Sequence, residues 1–412
     1  MANLNGVFIK KGRLGANTLT KNDGVSALII GCPATTQLVH GIVKTLYNSV
    51  DVVNAGFTAT SDSTSVNAYR HLLEFYRTAG EGQKLQLMIV PQDTTITEIL
   101  ENEIYAKKLI IASGGEVRQL GIAVNPTIPS VYLDGLPQDV YQSIAKAQNF
   151  HNWSFDNHFP CQILLEGYDL NGSASAVANL RSLPNISAPK VSVIIGQDYN
   201  HAETKTGNAR KFADVGTALG TLSACTIEQN IGDNEAFNLT DATKNTWLVP
   251  GLSSHKMNDD VYSDLQTLEN KGYIFGFIYA GMQGVRWNND HTCVEIIQDS
   301  EGNINEHTIA YGRTHDKALR LLRTALLPKV KKTYPVDPAN GQLPIGVQKY
   351  FEGIGNEVFE GMRKRKEISS GRMFVDATSD LITEKVLKTT FKLVPYGTIG
   401  EITGTSNLKT SL

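Results

Sequence analysis

The chain has 412 residues, of which 41% are hydrophobic and 19% are charged. This length predicts two or three domains, or one large α/β unit with additions, and supplies ample apolar material for a core. The formal net charge of −3 argues against a nucleic-acid scaffold, which normally carries a strong basic excess. No run approaches 18 consecutive apolar residues, and the first residues lack the pattern of a signal peptide, so we expect synthesis in the cytoplasm without membrane insertion.

The first 24 residues have the composition of an arm. Val7, Phe8 and Ile9 form a short strand candidate, and glycines and asparagines that favour turns follow them. We predict an extended arm over residues 1–24, or a disordered terminus when the protein is not assembled.

Short apolar runs alternate with amphipathic segments over residues 25–280. Runs that end at glycine or proline, such as the one that ends at Gly31 and the one that ends at Pro91, are typical of buried strands. Because strands alternate with helices, we predict one large α/β body with a mixed sheet and flanking helices. The predicted strands are 25–30, 85–90, 120–124, 161–166, 191–196 and 273–279, and the predicted helices are 62–79, 94–112, 137–148 and 209–222.

Residues 281–394 are predicted to complete the core with a hairpin, two helices and a long strand. The β-prone segments 294–297 and 307–311 flank a turn at 301–303, which predicts the hairpin. Apolar residues recur at helical spacing in the next two amphipathic segments. The predicted helices are 315–327 and 345–367.

The last strand and the tail after it have different patterns. Over 387–394, Leu387, Phe391 and Leu393 alternate with polar residues, which predicts a half-buried strand. Pro395 breaks this pattern, and the segment that follows is β-prone but too polar to form a core. We predict that residues 395–412 are an extended arm that adds a strand to a neighbouring copy, with an unpaired tail as the alternative.

Four cysteines, Cys32, Cys161, Cys225 and Cys293, lie far apart and none has a partner at the spacing of a metal site. We therefore expect buried, reduced thiols. The nine histidines show no metal-binding pair at helical spacing, so no metal and no other cofactor is predicted.

The search for catalytic signatures yields one weak candidate. The chain has no P-loop, no dinucleotide-binding fingerprint and no Gly-x-Ser-x-Gly nucleophile elbow. Asp198 follows a predicted strand, and His201 comes shortly after it. This pair is the basis of the alternative function, an α/β hydrolase or transferase with an unrecognised site, although the two residues are also typical of a loop cap.

The basic run of Arg363, Lys364, Arg365 and Lys366 at the end of the last predicted helix has three interpretations. Cations are favourable at the negative end of a helix dipole, so the run can be a solvated helix terminus. It can also contact an acidic protein partner. A nucleic-acid contact is disfavoured, since no aromatic residue lies among the charges.

Taken in order, these elements resemble the tail sheath proteins of contractile bacteriophages and of related contractile injection systems. The arm followed by Val25-Ser-Ala-Leu-Ile-Ile-Gly resembles the start of a sheath core. The segment 67–76, the glycines Gly80 and Gly82, and the strand after them are similar to the next part. The C-terminal helix, the Ser-Gly turn at 370–371, the strand, the proline and the β-prone tail are the most similar part.

The resemblance implies a structural protein that is not an enzyme. Its subunits would stack as rings into a helical sheath around an inner tail tube, with baseplate and terminator proteins at the ends. The sheath would contract and drive the tube into a target envelope, as part of a phage tail or an injection particle. A different phage structural protein, such as a tube or baseplate component, is the other alternative.

The resemblance also implies roles for particular residues. The arms would add strands to neighbouring subunits through Val7, Phe8 and Ile9 at one end and through Ile399 and Ile402 at the other. The basic run 363–366 would contact the inner tube.

Overall fold

A computed structural model describes residues 22–408. The predicted N-terminal strand lies outside the described residues. The strands are β1 (Ser26–Gly31), β2 (Val43–Leu46), β3 (Leu85–Val90), β4 (Gln119–Ala123), β5 (Tyr132–Leu133), β6 (Leu136–Pro137), β7 (Gln162–Glu166), β8 (Val191–Ile194), β9 (Gly196–Asp198), β10 (Pro250–Leu252), β11 (Lys256–Met257), β12 (Gly276–Phe277), β13 (Arg286–Trp287), β14 (Ser370–Val375) and β15 (Thr389–Val394).

The helices of the described residues lie between and after these strands. They are α1 (Ser49–Asn54), α2 (Ala68–Ala79), α3 (Ile96–Glu101), α4 (Lys108–Ala112), α5 (Gln138–Asp156), α6 (Tyr199–Ala202), α7 (Val215–Ala224), α8 (Tyr262–Asn270), α9 (Ile309–Leu326) and α10 (Ile345–Lys364). None of the helices in this part of the chain combines the length and the apolarity that crossing a bilayer requires. The predicted α/β class with a mixed sheet is confirmed.

A six-stranded sheet with the order β2-β3-β1-β4-β7-β8 forms the centre of the molecule. All neighbours pair in parallel except β2, which is antiparallel to β3. Every residue of β1 is buried, with Ala27 and Ile29 in one hydrophobic cluster and Leu28 and Ile30 in the other. The alternation places one core on each face of the sheet, as the apolar runs predicted.

Two helices pack closely on one face of this sheet because small residues let their backbones approach. Helices α2 and α7 meet at Gly216 and Gly220. A Cβ atom at Gly220 would lie 2.5 Å from the carbonyl oxygen of Phe75, and one at Gly216 would collide with the backbone of His71. Only glycine therefore allows this helix spacing.

The predicted helix 94–112 is broken in the structure. Helix α3 ends at Glu101, and Asn102 has extended backbone angles before a π-helical turn at Glu103–Lys107 and helix α4. The Asn102 side chain accepts a hydrogen bond from the backbone N–H of Ile104. The apolar periodicity continues across this break, so the sequence pattern alone predicted one helix.

The predicted hairpin over 294–311 is wrong in its second half. The turn at 301–303 exists, and Gln298 pairs with Ile304 in an isolated antiparallel bridge. Residues from Ile309 onward are helical, because the Thr308 hydroxyl accepts a hydrogen bond from the N–H of Tyr311 and caps the helix. Helix α9 thus begins six residues before the predicted start.

The C-terminal part of the chain forms its own small core. Helices α9 and α10 pack against the antiparallel pair β14 and β15, with Ser370 opposite Val394. The residues of this third hydrophobic cluster include Phe359, Met362 and Met373, and Phe391 and Leu393 of β15 pack on it. The predicted alternation of β15 is confirmed.

The four cysteines are all buried and unpaired, as expected. Burial raises the pKa of each thiol to about 12, so the thiols stay protonated at neutral pH.

Candidate assembly surfaces

The two candidate catalytic residues, Asp198 and His201, form hydrogen bonds with different partners. Oδ2 of Asp198 accepts hydrogen bonds from the N–H of Trp247 at 2.9 Å and the hydroxyl of Thr246 at 3.0 Å. The His201 Nε2 lies 3.1 Å from Oδ1 of Asn67. Burial and the nearby Arg70 lower the pKa of His201 to about 2, so the ring is neutral and is a poor proton acceptor.

Asp198 instead belongs to a buried ionic network around Arg70. The guanidinium lies 3.0 Å from Asp214, 3.2 Å from Asp198 and 3.5 Å from Glu74. Burial raises the pKa of Asp214 against the opposing effect of Arg70. The network joins α2 to the end of β9 and to the start of α7. Within residues 22–408, the carboxylate oxygens of Asp214, Glu74 and Asp198 all bond to neighbouring groups, except Oδ1 of Asp198.

The place where doubly wound sheets bind ligands is filled by side chains. Strand β3 pairs with one side of β1, and the later strand β4 pairs with the other side. A crevice is therefore expected at the carboxyl ends of β1 and β4. Buried Asn125 lies there, and its Nδ2 donates to the carbonyl oxygen of Gly31 at 2.9 Å. Its Oδ1 accepts from the N–H of Asn67, and Gln92 donates to its carbonyl oxygen.

An open cleft of about 400 Å³ lies beside this crevice, and its carboxylates are also engaged. Asp139 accepts from the N–H groups of Ile96 and Thr97 and so caps α3. Asp93 accepts from the hydroxyl and the N–H of Thr127. Within residues 22–408, no group of three or more His, Cys, Asp or Glu is arranged to hold a metal ion.

The C-terminal sheet differs from the central sheet in its exposure. Only one face of the β14 and β15 pair packs on a core, and the other face carries exposed Arg372, Phe374 and Lys392. The Arg372 guanidinium lies 5.1 Å from the centre of the Phe374 ring. An exposed edge of a two-stranded sheet is a template for pairing with another chain.

The tail after β15 is exposed and forms no strand over 395–408. Ile399 is 78% exposed and Ile402 is 87% exposed, so neither of these predicted contact residues packs on its own subunit. Apolar side chains in this state are available to a partner.

The predicted N-terminal contacts Val7, Phe8 and Ile9 lie outside the described residues, but the point where the described chain begins is well anchored. The Asp23 carboxylate binds Lys317 and lies 3.3 Å from Arg320, and its backbone carbonyl accepts from Arg313 at 3.1 Å. Lys317 also lies 2.7 Å from Glu367. We call this group of ion pairs the Asp23 clamp; it fixes the start of the body to α9.

The basic run at 363–366 is partly neutralised inside its own subunit. Arg363 pairs with Glu360 at 2.7 Å and Arg365 pairs with Glu367 at 2.9 Å. The Lys364 ammonium is 3.9 Å from Glu360, and Lys366 makes no ion pair among residues 22–408. The two lysines are therefore the better candidates for a partner contact, and the proposed tube contact stays a prediction.

Two polar contacts between α10 and the C-terminal sheet were not predicted from the sequence. The side chains of Glu352 and Asn356 on α10 accept hydrogen bonds from the N–H groups of Val375 and Met373. The two residues lie four apart beside the apolar stripe of the helix, which is a detectable signal. That spacing does not, however, show which strand the two residues contact.

The fold is shared with solved sheath subunits over almost the whole chain. The helical sheath of the anti-feeding prophage in its contracted state matches with a TM-score of 0.61 and 13% identity, covering 99% of both chains. The contracted sheath complex PVC of an extracellular contractile injection system matches with a TM-score of 0.57 and 8% identity, covering 100% of this chain and 99% of the other. A chain of the anti-feeding prophage baseplate matches with a TM-score of 0.57 and 12% identity over the full length of both chains.

These likenesses define the class: the chain has the fold of a contractile sheath subunit, and the resemblance inferred from the sequence is confirmed at the level of the fold. Residues 4–291 match the family described as DUF2586, N-terminal domain. The chain belongs to this family. Among curated proteins, none matches the sequence.

Proposed function

We propose that this protein is the structural subunit of a contractile sheath, which polymerises into a helical tube around an inner tube and contracts to drive that tube into a target envelope. The observation that carries the proposal is the likeness to a contracted helical sheath, which extends over 99% of both chains. A likeness of this extent includes the C-terminal sheet and the tail, the parts that a lone globular domain would not need.

The exposed parts of the subunit are suited to open-ended assembly. The edge of β15 and the exposed tail at 395–408 are different segments of the subunit surface. A contact between two different patches is heterologous, and repeated heterologous contacts build helical filaments when the rotation does not close a ring.

Strand addition is the proposed connection between subunits. The strands would come from residues 1–24, through Val7, Phe8 and Ile9, and from residues 395–412, through Ile399 and Ile402. Main-chain hydrogen bonds provide affinity in this mode, so the link is able to persist while side-chain contacts are exchanged during contraction.

Contraction requires two lattices of different free energy separated by a barrier. The assembled extended state would be kinetically trapped, and its release would exchange one set of subunit contacts for another. The rigid, two-sided core of the central sheet supports this function, because a subunit that keeps its shape transmits the movement to its neighbours.

The proposal assigns no catalysis to the chain. Asp198 is buried and His201 is partly buried, the two side chains bond to different partners, and Asn125 fills the crevice where a ligand would bind. A hydrolase or transferase remains the alternative function. Its signature would be a measurable activity that disappears when Asp198 and His201 are both changed to Ala.

The implied partners are an inner tube protein and the baseplate and terminator proteins of a phage tail or injection particle, after synthesis in the cytoplasm. Lys364 and Lys366 would face the inner tube. Changing both to Glu should leave sheath assembly unchanged but weaken co-sedimentation with the tube protein, whereas a matched Lys329→Glu, Lys331→Glu variant should not.

Negative-stain electron microscopy of the full chain across a concentration series tests the proposal. We expect hollow, striated tubes of uniform width. A chain that lacks residues 395–412 should show the same thermal unfolding but form no tubes. Dispersed particles up to the solubility limit would contradict self-assembly, and tubes formed by the shortened chain would contradict the role of the C-terminal arm.

A further inference from the structure

A short hairpin projects from the body between β13 and α9. We call residues 295–304 the projecting hairpin; all of them are exposed. The N–H of Asp299 donates to the carbonyl oxygen of Asn303 at 3.0 Å and closes the turn. Gln298 and Ile304 form the antiparallel bridge that joins its two arms.

Both ends of the projecting hairpin are fixed to the body. The N–H of Cys293 donates to the carbonyl oxygen of Val191 in β8 at 2.8 Å, which joins the first end to the last strand of the central sheet. The Asn305 side chain donates to the carbonyl oxygen of Glu295 and accepts from the N–H of Ile297 at 3.1 Å. The hairpin therefore has a defined position, although a two-stranded hairpin alone is only marginally stable in water.

The projecting hairpin carries apolar and acidic side chains. Ile296 is 61% exposed, Ile297 is 51% exposed and Ile304 is 46% exposed. The bridge between Gln298 and Ile304 places Ile296 on the same face as Ile304, because side chains alternate along a strand. Three carboxylates are also exposed on this segment, which contains no lysine or arginine: Glu295, Asp299 and Glu301. Exposed isoleucines that do not pack on their own subunit are available for contact with a partner.

A second exposed apolar surface lies at the other end of the central sheet, beside β2. Val50 and Val53 lie three residues apart on the outer face of α1, and they are 63% and 48% exposed. Val39 and Ile42 lie just before β2, and they are 57% and 47% exposed. We call these four residues the β2 patch.

Contacts within the subunit bring the parts of the β2 patch together. The hydroxyl of Thr35 donates to the carbonyl oxygen of Ala55 at 2.7 Å, which joins the segment before Val39 to the end of α1. By strand alternation, Ile42 falls on the same face as Leu46. Leu46 belongs to the same hydrophobic cluster as the buried side of α1, so α1 lies on this face beside β2. The patch is therefore one apolar surface at an edge strand of the sheet.

The charges at the two surfaces are complementary. Lys44 and Lys108 lie beside the β2 patch, and neither forms an ion pair within residues 22–408. Lys108 donates to the backbone carbonyl oxygen just before Ile42 at 2.7 Å. The carboxylates of Asp51 and Glu81 in this region accept hydrogen bonds from backbone N–H groups of their own subunit. The carboxylates of the projecting hairpin would therefore meet available cations at the patch.

The two surfaces cannot meet within one subunit. Strand β2 is first and β8 is last in the order of the six-stranded sheet, and the projecting hairpin is joined to β8. Five spacings of about 4.8 Å between neighbouring strands place β2 and β8 about 24 Å apart. A contact between the hairpin and the β2 patch therefore joins two copies. Because each copy then keeps one free surface of each kind, the same contact can repeat along a series of copies.

We propose that the projecting hairpin of one copy docks on the β2 patch of a second copy, with Ile296 and Ile304 against the apolar side chains and the hairpin carboxylates towards Lys44 and Lys108. The inference rests on the proposed sheath function. It adds to that function a contact between the bodies of two subunits, which is separate from the terminal arms.

Cross-linking between two singly substituted chains tests this contact. Chains with Ile304→Cys and chains with Val50→Cys are mixed, assembled into tubes and treated with a short bis-maleimide reagent, to which the buried native thiols are inaccessible. A species of twice the subunit mass is expected from the mixture and not from either chain alone, because a hairpin meets a patch and never another hairpin. A chain with both substitutions should give a ladder of dimers, trimers and larger species.

A different exposed loop of the body provides the matched control. Ile128 is 69% exposed, and a mixture of Ile128→Cys and Val50→Cys chains should give several-fold less cross-linked product than the mixture with Ile304→Cys. Equal yields from the two mixtures would contradict a specific contact. A dimer formed by Ile304→Cys alone or by Val50→Cys alone would indicate contacts between like surfaces and would overturn the inference.

Removal of the apolar side chains provides an independent measurement. Ile296→Ser with Ile304→Ser should raise the protein concentration needed for tubes several-fold, and Val50→Ser with Val53→Ser should do the same. Thermal unfolding of the dispersed subunit should not change in either variant, because the substituted side chains are exposed.

The control for this measurement removes apolar side chains that lie outside both surfaces. Ile128→Ser with Val131→Ser replaces residues that are 69% and 68% exposed, and it should leave the concentration needed for tubes unchanged. A rise as large as in the hairpin variant would show that any exposed apolar side chain has this effect, and would contradict the inference.

The outcomes separate the inference from the proposed function. Tubes without the cross-link between positions 304 and 50, or tubes that form normally when the hairpin isoleucines are replaced, would overturn the inference while the sheath function stands. A defect confined to the variant of the β2 patch would assign the patch to another occupant and would also overturn the inference. If the original chain forms no tubes, the proposed function fails and the inference fails with it.

Discussion

The central sheet and the C-terminal sheet of this protein differ in how much of each sheet is buried. The central sheet has six strands, and five of them are buried along their whole length between two hydrophobic clusters. The C-terminal sheet has two strands, one covered face and an open edge at β15. Buried apolar residues are concentrated in the first sheet and exposed residues in the second, so substitutions in the two regions should have different consequences.

The largest difference is expected from the removal of a charge. Arg70→Met removes the cationic partner of buried Asp214 and Asp198, while Glu74 keeps its ion pair with Arg77. We expect a loss of about 5 kcal/mol of unfolding free energy in urea titrations. The exposed Arg372→Met in the C-terminal sheet is the control, with an expected change within about 0.5 kcal/mol. An equal loss of unfolding free energy in the two variants would contradict the expected difference between the two regions.

The pH dependence of stability should have opposite signs in the two regions. Burial raises the pKa of Glu166 from 4.5 to about 8. Its contribution to stability is therefore complete below pH 4.5 and decreases as the pH rises through about 8. Because one pKa unit corresponds to about 1.4 kcal/mol, the difference between the original protein and Glu166→Gln should fall by roughly 4–5 kcal/mol over this range.

Glu352 in the C-terminal part is the comparison for this experiment. A hydrogen bond from Lys349 lowers its pKa, so its contribution is present above its ordinary value of 4.5 and is lost as the pH falls through the lowered pKa. Unfolding free energies measured from pH 2 to pH 9 for Glu166→Gln and Glu352→Gln, each compared with the original protein, check the two signs. A flat difference for Glu166→Gln would show that this carboxyl is not buried as described.

A glycine in a helix of the body should not tolerate alanine. In Gly220→Ala, the new Cβ would lie 2.5 Å from the carbonyl oxygen of Phe75, so α2 and α7 would have to separate. Overpacking of this kind costs about 1–3 kcal/mol, which thermal and urea unfolding will detect. An unchanged stability would indicate that these helices are able to shift freely.

The smallest effect is expected for the same substitution in the C-terminal helix. Gly353 lies in the interior of α10 and is exposed, and a Cβ atom at this position would have no heavy atom within 4 Å from elsewhere in the chain. Gly353→Ala should therefore stabilise the protein by about 0.5–1 kcal/mol, because alanine loses less backbone entropy than glycine on helix formation. A loss of stability would place another element against this face of the helix in the isolated subunit.

The buried elements of the body were predictable because their pattern is unambiguous. The runs that form β1 and β3 are wholly apolar or nearly so and end at Gly31 and Pro91, so no other structure fits them as well. The edge strand β2 was missed, since Val43–Leu46 is short and half polar. The start of α9 was misjudged because Ile309 and its neighbours are β-prone, and the cap at Thr308 decides their structure.

The candidate assembly surface was only partly predictable. The alternation of Phe391 and Leu393 identified β15, and the exposure of Ile399 and Ile402 follows from a segment without a core. The buried network of Arg70 was out of reach, because its partners Asp198 and Asp214 are 128 and 144 positions away in the chain. The predicted division of the chain at residues 24, 280 and 394 stays a prediction.

The Asp23 clamp has a mechanical consequence. Helix α9 begins in the body, where Ile309 belongs to a core beside the central sheet, and continues into the C-terminal cluster through Ala318 and Leu322. Tension applied to the chain ahead of Asp23 would meet the cations of α9 before it reached β1. The force would thus be transmitted to both hydrophobic cores through α9. Strand β1 would then be protected from separating from the central sheet.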